Sequence, residues 1–343
     1  YYAEKVRKAK YDLDEEQLRP YFELKNVRDG AFAVAGKLYG LTFTQLENMP
    51  LYHPECQVFE VKDADGSLIG VIYLDFFPRE SKKAGAWMTN YREQYTSPTG
   101  ENVRPVVSLT CNFSKPVGDK PALLTYDEVE TFFHEFGHGL HGLLSQCTYE
   151  SLAGTNVSRD FVELPSQIME HWAAEPEVLK MYAKHYQTGE VIPQELINKM
   201  EKAGKFNQGF VTAEFIAAAF LDMDFHTVTT PGDFDVNEFE KKSMEKIGLI
   251  KEIIPRYRST YFAHAFPGGY SSGYYSYTWA EVLDADAFDA FRETGDIFNQ
   301  DVAKSFRKNV LERGNTDEPM KLYLNFRGKE PGIEPLLKNR GLL

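Results

Sequence analysis

The amino-acid sequence predicts a mainly α-helical protein with one small β-sheet. Three observations predict this fold class. Short apolar runs of strand character cluster between about residues 42 and 113. Apolar residues recur at helical spacing over most of residues 120–343. Where these regions meet, residues 125–144 combine a helix-start signal with an apolar stripe.

Two helices are predicted ahead of the sheet. Residues 1–19 are highly charged and are predicted to be helical up to Pro20, which cannot continue a helix. Residues 26–39 form the second predicted helix, which Gly40 terminates.

The sheet is predicted from a hairpin and two further segments. The runs 56–62 and 67–77 flank Asp65-Gly66, a pair typical of a tight hairpin turn. Residues 105–113 are predicted to form another strand. Residues 85–88 have two interpretations: a sheet edge along which an extended peptide lies, or ordinary sheet packing.

The most informative stretch is the predicted helix from Thr125 to Leu144. Thr125 and Glu128 have the spacing of a capping box, in which each side chain accepts a hydrogen bond from the other residue's backbone. An apolar stripe at helical period follows: Val129, Phe132, Phe133, Phe136, Leu140, Leu143 and Leu144. One side of this helix is therefore predicted to be buried.

The other side of the same helix carries His134, Glu135 and His138 in the spacing H-E-x-x-H. Residues four apart project from one face of a helix, so both imidazoles can bind one metal ion. Glu135 lies beside them, where its carboxylate can take a proton from a water molecule. The spacing is typical of zinc hydrolases.

A catalytic zinc ion usually has three protein ligands, so a third ligand must come from elsewhere. An extended form of the motif would place a histidine where Leu144 stands. His141 is on the same helix face as the motif histidines, and three ligands from one straight helix cannot converge on one ion. His141 is therefore predicted to pack in the core or to support a ligand.

The remaining source of a third ligand is a carboxylate on the next helix. That helix is predicted to begin near Ser158 and to run to Trp172, with Pro165 tolerated near its start. Glu163 is the best-placed carboxylate. Glu170 lies seven residues further on, where it either hydrogen-bonds a ligand or is solvated. His171 is predicted to be structural.

A second group of candidate residues lies in a segment rich in glycine and tyrosine, residues 259–278. It contains His264, Pro267, Gly268, Gly269, Tyr270, Gly273, Tyr274, Tyr275 and Tyr277. Attack of water on a peptide carbonyl creates an oxyanion, which phenol O–H and imidazole N–H groups can stabilise. The alternative is an aromatic loop that packs on the core, since the chain has 20 tyrosines.

Composition limits the partners. The net charge is −13 and no basic run occurs, which argues against nucleic acid and anionic membranes. The longest apolar runs are too short to span a bilayer. The three cysteines are odd in number and form no C-x-x-C pair, which favours a reducing compartment. We expect a cytoplasmic location, with a periplasmic one as the alternative.

Three segments together resemble one enzyme family. HEFGHGLHGL (134–143), DFVELPSQIMEHW (160–172) and YFAHAFPGGYSSGYYSYTWAEVL (261–283) look like motifs of the M3 family of zinc peptidases. Further segments are similar to its peptidyl-dipeptidase branch. The resemblance covers residues 1–343 and implies a zincin-like catalytic domain.

The resemblance also implies roles for individual residues. His134, His138 and Glu163 would bind one Zn²⁺ per chain, and Glu135 would be the general base. The remaining implied roles are catalysis for His264 and Tyr277 and substrate binding for Tyr270, Tyr274, Gly268 and Gly269.

The implied activity is removal of dipeptides from the C-terminus of oligopeptides. Two alternatives are an endo-acting oligopeptidase of the same family and a zinc- or peptide-binding fragment without turnover. Family members carry a helical half before the segment that matches Tyr1, and we expect this half to be absent here. If the chain is a fragment, that half is an expected partner. Arg256 and Arg258 are candidates for binding the substrate carboxylate, with surface salt bridges as the alternative.

Overall fold

The computed structural model describes residues 1–230 and 232–343. Three helices precede the sheet: α1 (Tyr2–Tyr11), α2 (Glu15–Leu18) and α3 (Leu24–Tyr39). The first predicted helix is thus two helices, because the chain turns at Asp12 with a φ of 49°. Helix α3 ends at Gly40 as predicted, and the φ of 73° there is one that glycine adopts without strain.

The strands all lie within the predicted region. They are β1 (Thr42–Gln45), β2 (Gln57–Lys62), β3 (Leu68–Asp75), β4 (Trp87–Arg92), β5 (Tyr95–Thr96), β6 (Asn102–Val103) and β7 (Val106–Thr110). Five of them form a mixed sheet in the order β1-β2-β3-β7-β4, and β5 pairs with β6 separately. The predicted hairpin joins β2 to β3, with Gly66 at a φ of 83°.

The position of β4 in the sheet matters for the site described below. Among the described strands it pairs with β7 alone, where Trp87 lies opposite Thr110 and Met88 opposite Leu109. One side of β4 therefore remains a free edge among the described strands, and the binding of a peptide along residues 85–88 stays a prediction.

Helices make up most of the remaining chain. They are α4 (Tyr126–Leu144), α5 (Arg159–Val162), α6 (Leu164–Ala174), α7 (Pro176–Tyr182), α8 (Gln194–Ala203), α9 (Gln208–His226), α10 (Val236–Lys246), α11 (Ser276–Arg292), α12 (Gln300–Phe306), α13 (Pro319–Arg327) and α14 (Glu334–Asn339). A π-helical turn, Arg307–Leu311, extends α12. None of the described helices has the length and apolar character that a bilayer crossing requires.

Both ends of α4 are held by specific hydrogen bonds. The predicted capping box is present: the N–H of Glu128 donates to Thr125 Oγ1 at 3.1 Å, and the N–H of Thr125 donates to Glu128 Oε2 at 2.8 Å. At the other end, the Arg104 guanidinium donates to the carbonyl of Leu143 at 2.8 Å. The predicted apolar stripe of α4 is buried against the sheet and α6. This helix is thus fixed along its whole length.

The prediction of a single helix from Ser158 to Trp172 is wrong in one respect, because the helix is broken at Glu163. Pro165 has no N–H to donate to the carbonyl of Phe161, so α5 ends at Val162 and α6 starts afresh with proline in its first turn. Glu163 lies at this break, on the side that faces α4.

Most buried apolar residues in the described part of the chain belong to one of two clusters. The main core joins the sheet, α3, α4, α6 and α11. A smaller one, which we call the outer cluster, consists of Ala218, Ala219, Leu221, Phe262, Ala265 and Tyr274. It packs the second half of α9 against residues 262–275, the tyrosine loop, which leads into α11. Helix α9 also exposes four large apolar side chains, Phe210, Val211, Phe220 and Met223.

Candidate active site

Side chains from α4 and from the break before α6 converge on one point. The Nε2 atoms of His134 and His138 lie 3.3 Å and 3.2 Å from Oε2 of Glu163. The three potential ligand atoms are all within 4.8 Å of one another. The sequence-predicted ligand set is therefore brought together as a candidate metal centre.

Gly137 explains how the two helical segments come so close. A Cβ atom at this position would lie 2.2 Å from the carbonyl oxygen of Pro165 and 2.6 Å from the Cα of Ser166. Any larger residue would push α6 away from α4 and would carry Glu163 with it. Glycine between the two histidines is thus a requirement of packing.

Hydrogen bonds orient the Glu163 carboxylate. Ser166 Oγ donates to Glu163 Oε2 at 3.0 Å, and the Tyr270 hydroxyl donates to Oε1. Burial alone would raise the pKa of the Glu163 carboxyl, but the adjacent His138 and His134 hold it well below its usual range. Glu163 is therefore an anion, the form in which a carboxylate binds a metal.

His134 has a second partner on α6. Its Nδ1 lies 2.6 Å from Oε1 of Glu170. Burial lowers the pKa of His134, but the hydrogen bonds with Glu163 and Glu170 outweigh it and raise that pKa well above its ordinary value. Of the two roles considered for Glu170, the hydrogen bond to a candidate ligand is the one observed.

Glu135 lies beside the candidate metal centre without a hydrogen-bonded partner. Its side chain is 5% exposed, and Oε2 is buried with no partner among the described residues. Burial raises the pKa of this carboxyl above its ordinary value, although the neighbouring histidines partly offset the rise. A buried carboxylate of raised pKa is a competent proton acceptor near neutral pH.

The tyrosine loop and the start of α11 approach the centre from the opposite side. The rings of Tyr270 and Tyr277 stack at a centroid distance of 5.1 Å, and the ring of His264 lies 6.2 Å from each of them. Burial and the nearby Glu163 raise the pKa of both phenols, so they remain protonated donors. Burial and Arg256 lower the pKa of His264, which is therefore neutral.

Of the other predicted members of this group, Gly268 lines the cavity near the candidate centre and Gly269 and Tyr274 do not. The φ of Gly269 is 83°, and a Cβ atom there would lie 3.1 Å from Nη2 of Arg159. Tyr274 is 2% exposed and does not line the cavity, because its ring stacks on Phe215 at 4.7 Å within the outer cluster.

A cavity of about 470 Å³ is lined by the three potential ligands, Glu135, His264, Tyr270 and Tyr277. Its walls also include residues 86–88 at the free edge of β4. Two cations that the sequence did not single out, Lys83 and Arg159, also line it. Neither has a carboxylate within salt-bridge distance in the described part of the chain.

Comparisons with known proteins identify the family. The sequence profile of peptidase family M3 matches residues 1–342. The chain belongs to peptidase family M3. The M3 resemblance seen in the sequence is therefore confirmed.

Two M3-type relatives come from Escherichia coli. The chain is 46% identical to dipeptidyl carboxypeptidase over 345 residues and 41% identical to oligopeptidase A over 350 residues. Each alignment covers 100% of this chain and 50% of the relative. The chain thus spans about half the length of the curated relatives it matches.

Solved structures with the same fold include two carboxypeptidases. One is from Pyrococcus furiosus, with a TM-score of 0.53, 14% identity, and coverage of 94% of this chain and 59% of that one. The other is the M32 carboxypeptidase from Deinococcus radiodurans R1, with a TM-score of 0.50, 16% identity, and coverage of 95% and 60%. At these identities the likeness concerns the fold alone, and it confirms the predicted zincin-like class.

The M3 centre fits a divalent metal of tetrahedral preference. Two atoms about 2.0–2.2 Å from a tetrahedral zinc ion lie roughly 3.3–3.5 Å apart. The observed separations of 3.3 Å and 3.2 Å between the imidazole nitrogens and Glu163 Oε2 match this value. Two imidazoles and one carboxylate are also a donor set that catalytic zinc sites use.

Other candidates in this M3 chain lie away from the centre. His141 is fully buried, and neither ring nitrogen has a partner among the described residues. His171 Nε2 lies 2.6 Å from Asp284 Oδ1, in keeping with a structural role. Arg258 forms an ion pair with Glu240 at 2.6 Å, and Arg256 does not line the cavity.

Proposed function

We propose that this chain hydrolyses oligopeptides as a zinc metallopeptidase and releases dipeptides from their C-terminus. His134, His138 and Glu163 would bind one Zn²⁺, which would polarise the scissile carbonyl and lower the pKa of water. The observation that carries the proposal is the convergence of these three ligand atoms beside a buried, unpartnered Glu135.

In the proposed reaction Glu135 moves the proton. Its carboxylate accepts a proton from the water that attacks the peptide carbonyl, and it then passes this proton to the nitrogen of the leaving amine. Burial raises the pKa of Glu135, so its carboxylate accepts the proton from water more readily and holds it until the amine nitrogen takes it up.

Tyr270, Tyr277 and His264 are the proposed donors to the oxyanion. The Tyr270 hydroxyl donates to Glu163 in the structure, and it would exchange this acceptor for the oxyanion during the reaction. Their raised phenol pKa values and lowered imidazole pKa keep all three as neutral hydrogen-bond donors near pH 7. Neutral donors held in place by packing stabilise a developing negative charge without first losing a strongly bound hydration shell.

The free edge of β4 is the proposed binding surface for the peptide backbone. An extended peptide can add to an exposed strand through main-chain hydrogen bonds, and Ala86, Trp87 and Met88 line the cavity at this edge. Because main-chain hydrogen bonds do not depend on side chains, such an edge accepts oligopeptides of many sequences.

Release of C-terminal dipeptides requires an anchor for the substrate carboxylate. Lys83 and Arg159 both supply cations to the lining of the cavity, in a chain whose net charge is −13. Neither charge is neutralised by a salt bridge to a described residue, so both are available to a carboxylate.

An endo-acting oligopeptidase is the second candidate, favoured by the 41% identity to oligopeptidase A. A pair of peptides that differ only in a free or amidated C-terminus distinguishes the two. We expect cleavage of the free acid two residues from its end and no cleavage of the amide. Internal cleavage of both peptides would establish the endo-acting alternative.

Zinc analysis of the protein used in the peptide assay tests the third hypothesis, a binding fragment without turnover. We expect one zinc per chain together with peptide cleavage. Stoichiometric zinc without cleavage of either peptide would overturn the peptidase proposal, and absence of zinc binding would overturn the metal site. The helical half expected as a partner stays a prediction, as does the cytoplasmic location.

A further inference from the structure

Asp222 is a buried carboxylate of α9 whose hydrogen bonds go to the tyrosine loop. It is fully buried, and its Oδ1 accepts a hydrogen bond from the backbone N–H of Ser272 at 3.0 Å. Its Oδ2 accepts one from the backbone N–H of Tyr274 at 2.9 Å. Nδ1 of His226, one turn further along α9, is hydrogen-bonded to the backbone carbonyl of Asp222 at 2.8 Å and lies 2.9 Å from Oδ1. The two backbone N–H donors of the loop compensate the burial of the carboxylate.

The backbone that Asp222 binds is in an unfavourable conformation. Ser272 has a φ of 55°, in the left-handed region that residues other than glycine rarely adopt. The Ser272 side chain is exposed, so core packing does not hold it there. The two hydrogen bonds to Asp222, on either side of Gly273, hold this turn from outside the loop.

The same turn separates the two phenols at the candidate centre. Tyr270 precedes it, and its carbonyl accepts a hydrogen bond from the N–H of Gly273 at 2.9 Å. Tyr277 follows it in the first turn of α11, and Tyr274 between them anchors the turn in the outer cluster. A rotation of residues 272–274 would therefore shift both hydroxyls relative to the cavity.

We propose that Asp222 is a positioning residue that holds the tyrosine loop so that Tyr270 and Tyr277 reach the substrate carbonyl. The inference rests on the proposed peptidase function. Asp222 does not line the cavity and acts through the loop backbone alone. The three proposed metal ligands lie on α4 and at the start of α6, which belong to the main core, so they stay in place when the Asp222 contacts are lost. The loop's contact with a ligand is the Tyr270 hydrogen bond to Glu163, and Ser166 still orients that carboxylate.

The test replaces Asp222 by asparagine, which has the same size but can accept only one of the two backbone hydrogen bonds. We expect zinc stoichiometry to be unchanged. We expect kcat to fall by about 100-fold and KM to change much less, because misplaced donors stabilise the transition state less but do not alter binding of the substrate. The matched control is Asp224→Asn, on the same helix, whose carboxylate pairs with Lys246 at 2.8 Å and should leave kcat unchanged.

Two substitutions at Ser272 test the same contact from the loop side. Ser272→Gly in the Asp222→Asn background should restore part of kcat, because glycine adopts the required φ without strain. Ser272→Val alone should lower kcat, because a β-branched residue resists that φ. If Asp222→Asn fails to fold, Ser272→Val still tests whether the conformation of this turn controls kcat.

Amide hydrogen exchange supplies a readout that does not need activity. We expect at least one of the N–H groups of Ser272 and Tyr274 to lose protection in Asp222→Asn, and both to keep it in Asp224→Asn. Equal kcat values for these two variants, or unchanged exchange at both amides, would overturn the proposal. An unmutated protein that cleaves no peptide would refute the proposed function, while the exchange measurement would still test the role of Asp222.

Discussion

Nδ1 of His134 lies 2.6 Å from Oε1 of Glu170, and Nε2 of the same ring lies 3.3 Å from Oε2 of Glu163. One imidazole thus bridges a carboxylate within α6 and one at the break before it. With Nδ1 engaged by Glu170, the Nε2 atom is left to face Glu163 and the candidate metal position. The hydrogen bond thus fixes both the tautomer and the ring orientation that metal binding needs.

Replacing Glu170 by glutamine should therefore weaken zinc binding by about 10- to 100-fold, because the imidazole loses the partner that orients it. Competition with a chelator of known affinity measures the change. Glu177→Gln, at an exposed position of α7, is the control and should bind zinc like the unmutated protein. Equal affinities in the two variants would remove Glu170 from the metal site.

Glu135→Gln should retain zinc and lose turnover, because it removes the proposed base but no ligand. We expect kcat to fall by about 100- to 10,000-fold. Glu130→Gln is the control, since burial raises the pKa of that carboxyl to about 8 and glutamine resembles its protonated form. Loss of zinc from Glu135→Gln would contradict the proposal that Glu135 acts as the base and is not a zinc ligand.

Tyr277→Phe should lower kcat by about 100- to 1,000-fold with a much smaller effect on KM, if its hydroxyl acts on the oxyanion. Steady-state kinetics with one peptide measure both constants. Tyr275→Phe removes a neighbouring hydroxyl that donates to Asp160 at 3.2 Å, and it should leave both constants unchanged. A rise in KM at constant kcat would assign Tyr277 to substrate binding instead.

Replacing the cavity cations should affect peptides with a free C-terminus selectively. We expect Lys83→Met or Arg159→Gln to raise KM for a free-acid peptide by about tenfold or more, through loss of a charge-assisted hydrogen bond. Lys115→Met, at an exposed lysine that pairs with Glu55, should have no effect. If neither cavity variant changes KM, the carboxylate is bound elsewhere.

His141 should make the protein less stable in acid. Burial, assisted by the charge of His138, lowers the pKa of His141 from 6.5 to about 3. Between these values the unfolded chain binds a proton that the folded chain does not, so stability falls as the pH drops below 6.5. The contribution lost between pH 7.5 and 4.5 is about 2–3 kcal/mol.

Urea unfolding at the two pH values measures this loss, and His141→Phe isolates it. The variant should show a smaller decrease, because phenylalanine cannot take up a proton in the unfolded chain. The same decrease in both proteins would mean that other groups account for the acid sensitivity.

Local signals in the sequence predicted α4 well. The capping box, the apolar stripe and the histidine spacing depend on contacts three or four residues apart, which are the same in any α-helix. The hairpin at Gly66 was predictable for a similar reason. The ligand trio followed from these signals once Glu163 was recognised as a carboxylate on the next segment.

Features that depend on tertiary contacts were not predictable. The helix break at Glu163 depends on where the second helix starts, because Pro165 is compatible with a first turn but not with an interior position. The burial of Tyr274 depends on Phe215, a partner from α9. Lys83 and Arg159 reach the same cavity from separate parts of the chain, and no short-range pattern links them.

The free edge of β4 has a consequence for solubility. Unpaired N–H and C=O groups that accept a substrate will also accept any extended chain, including an unfolded copy of the same protein. Five residues before β4, the buried ammonium of Lys82 binds Asp75 at 3.1 Å and anchors the segment that leads to this edge. Saturating concentrations of a short, uncleavable peptide should therefore slow aggregation at high protein concentration, by occupying the same hydrogen-bonding groups.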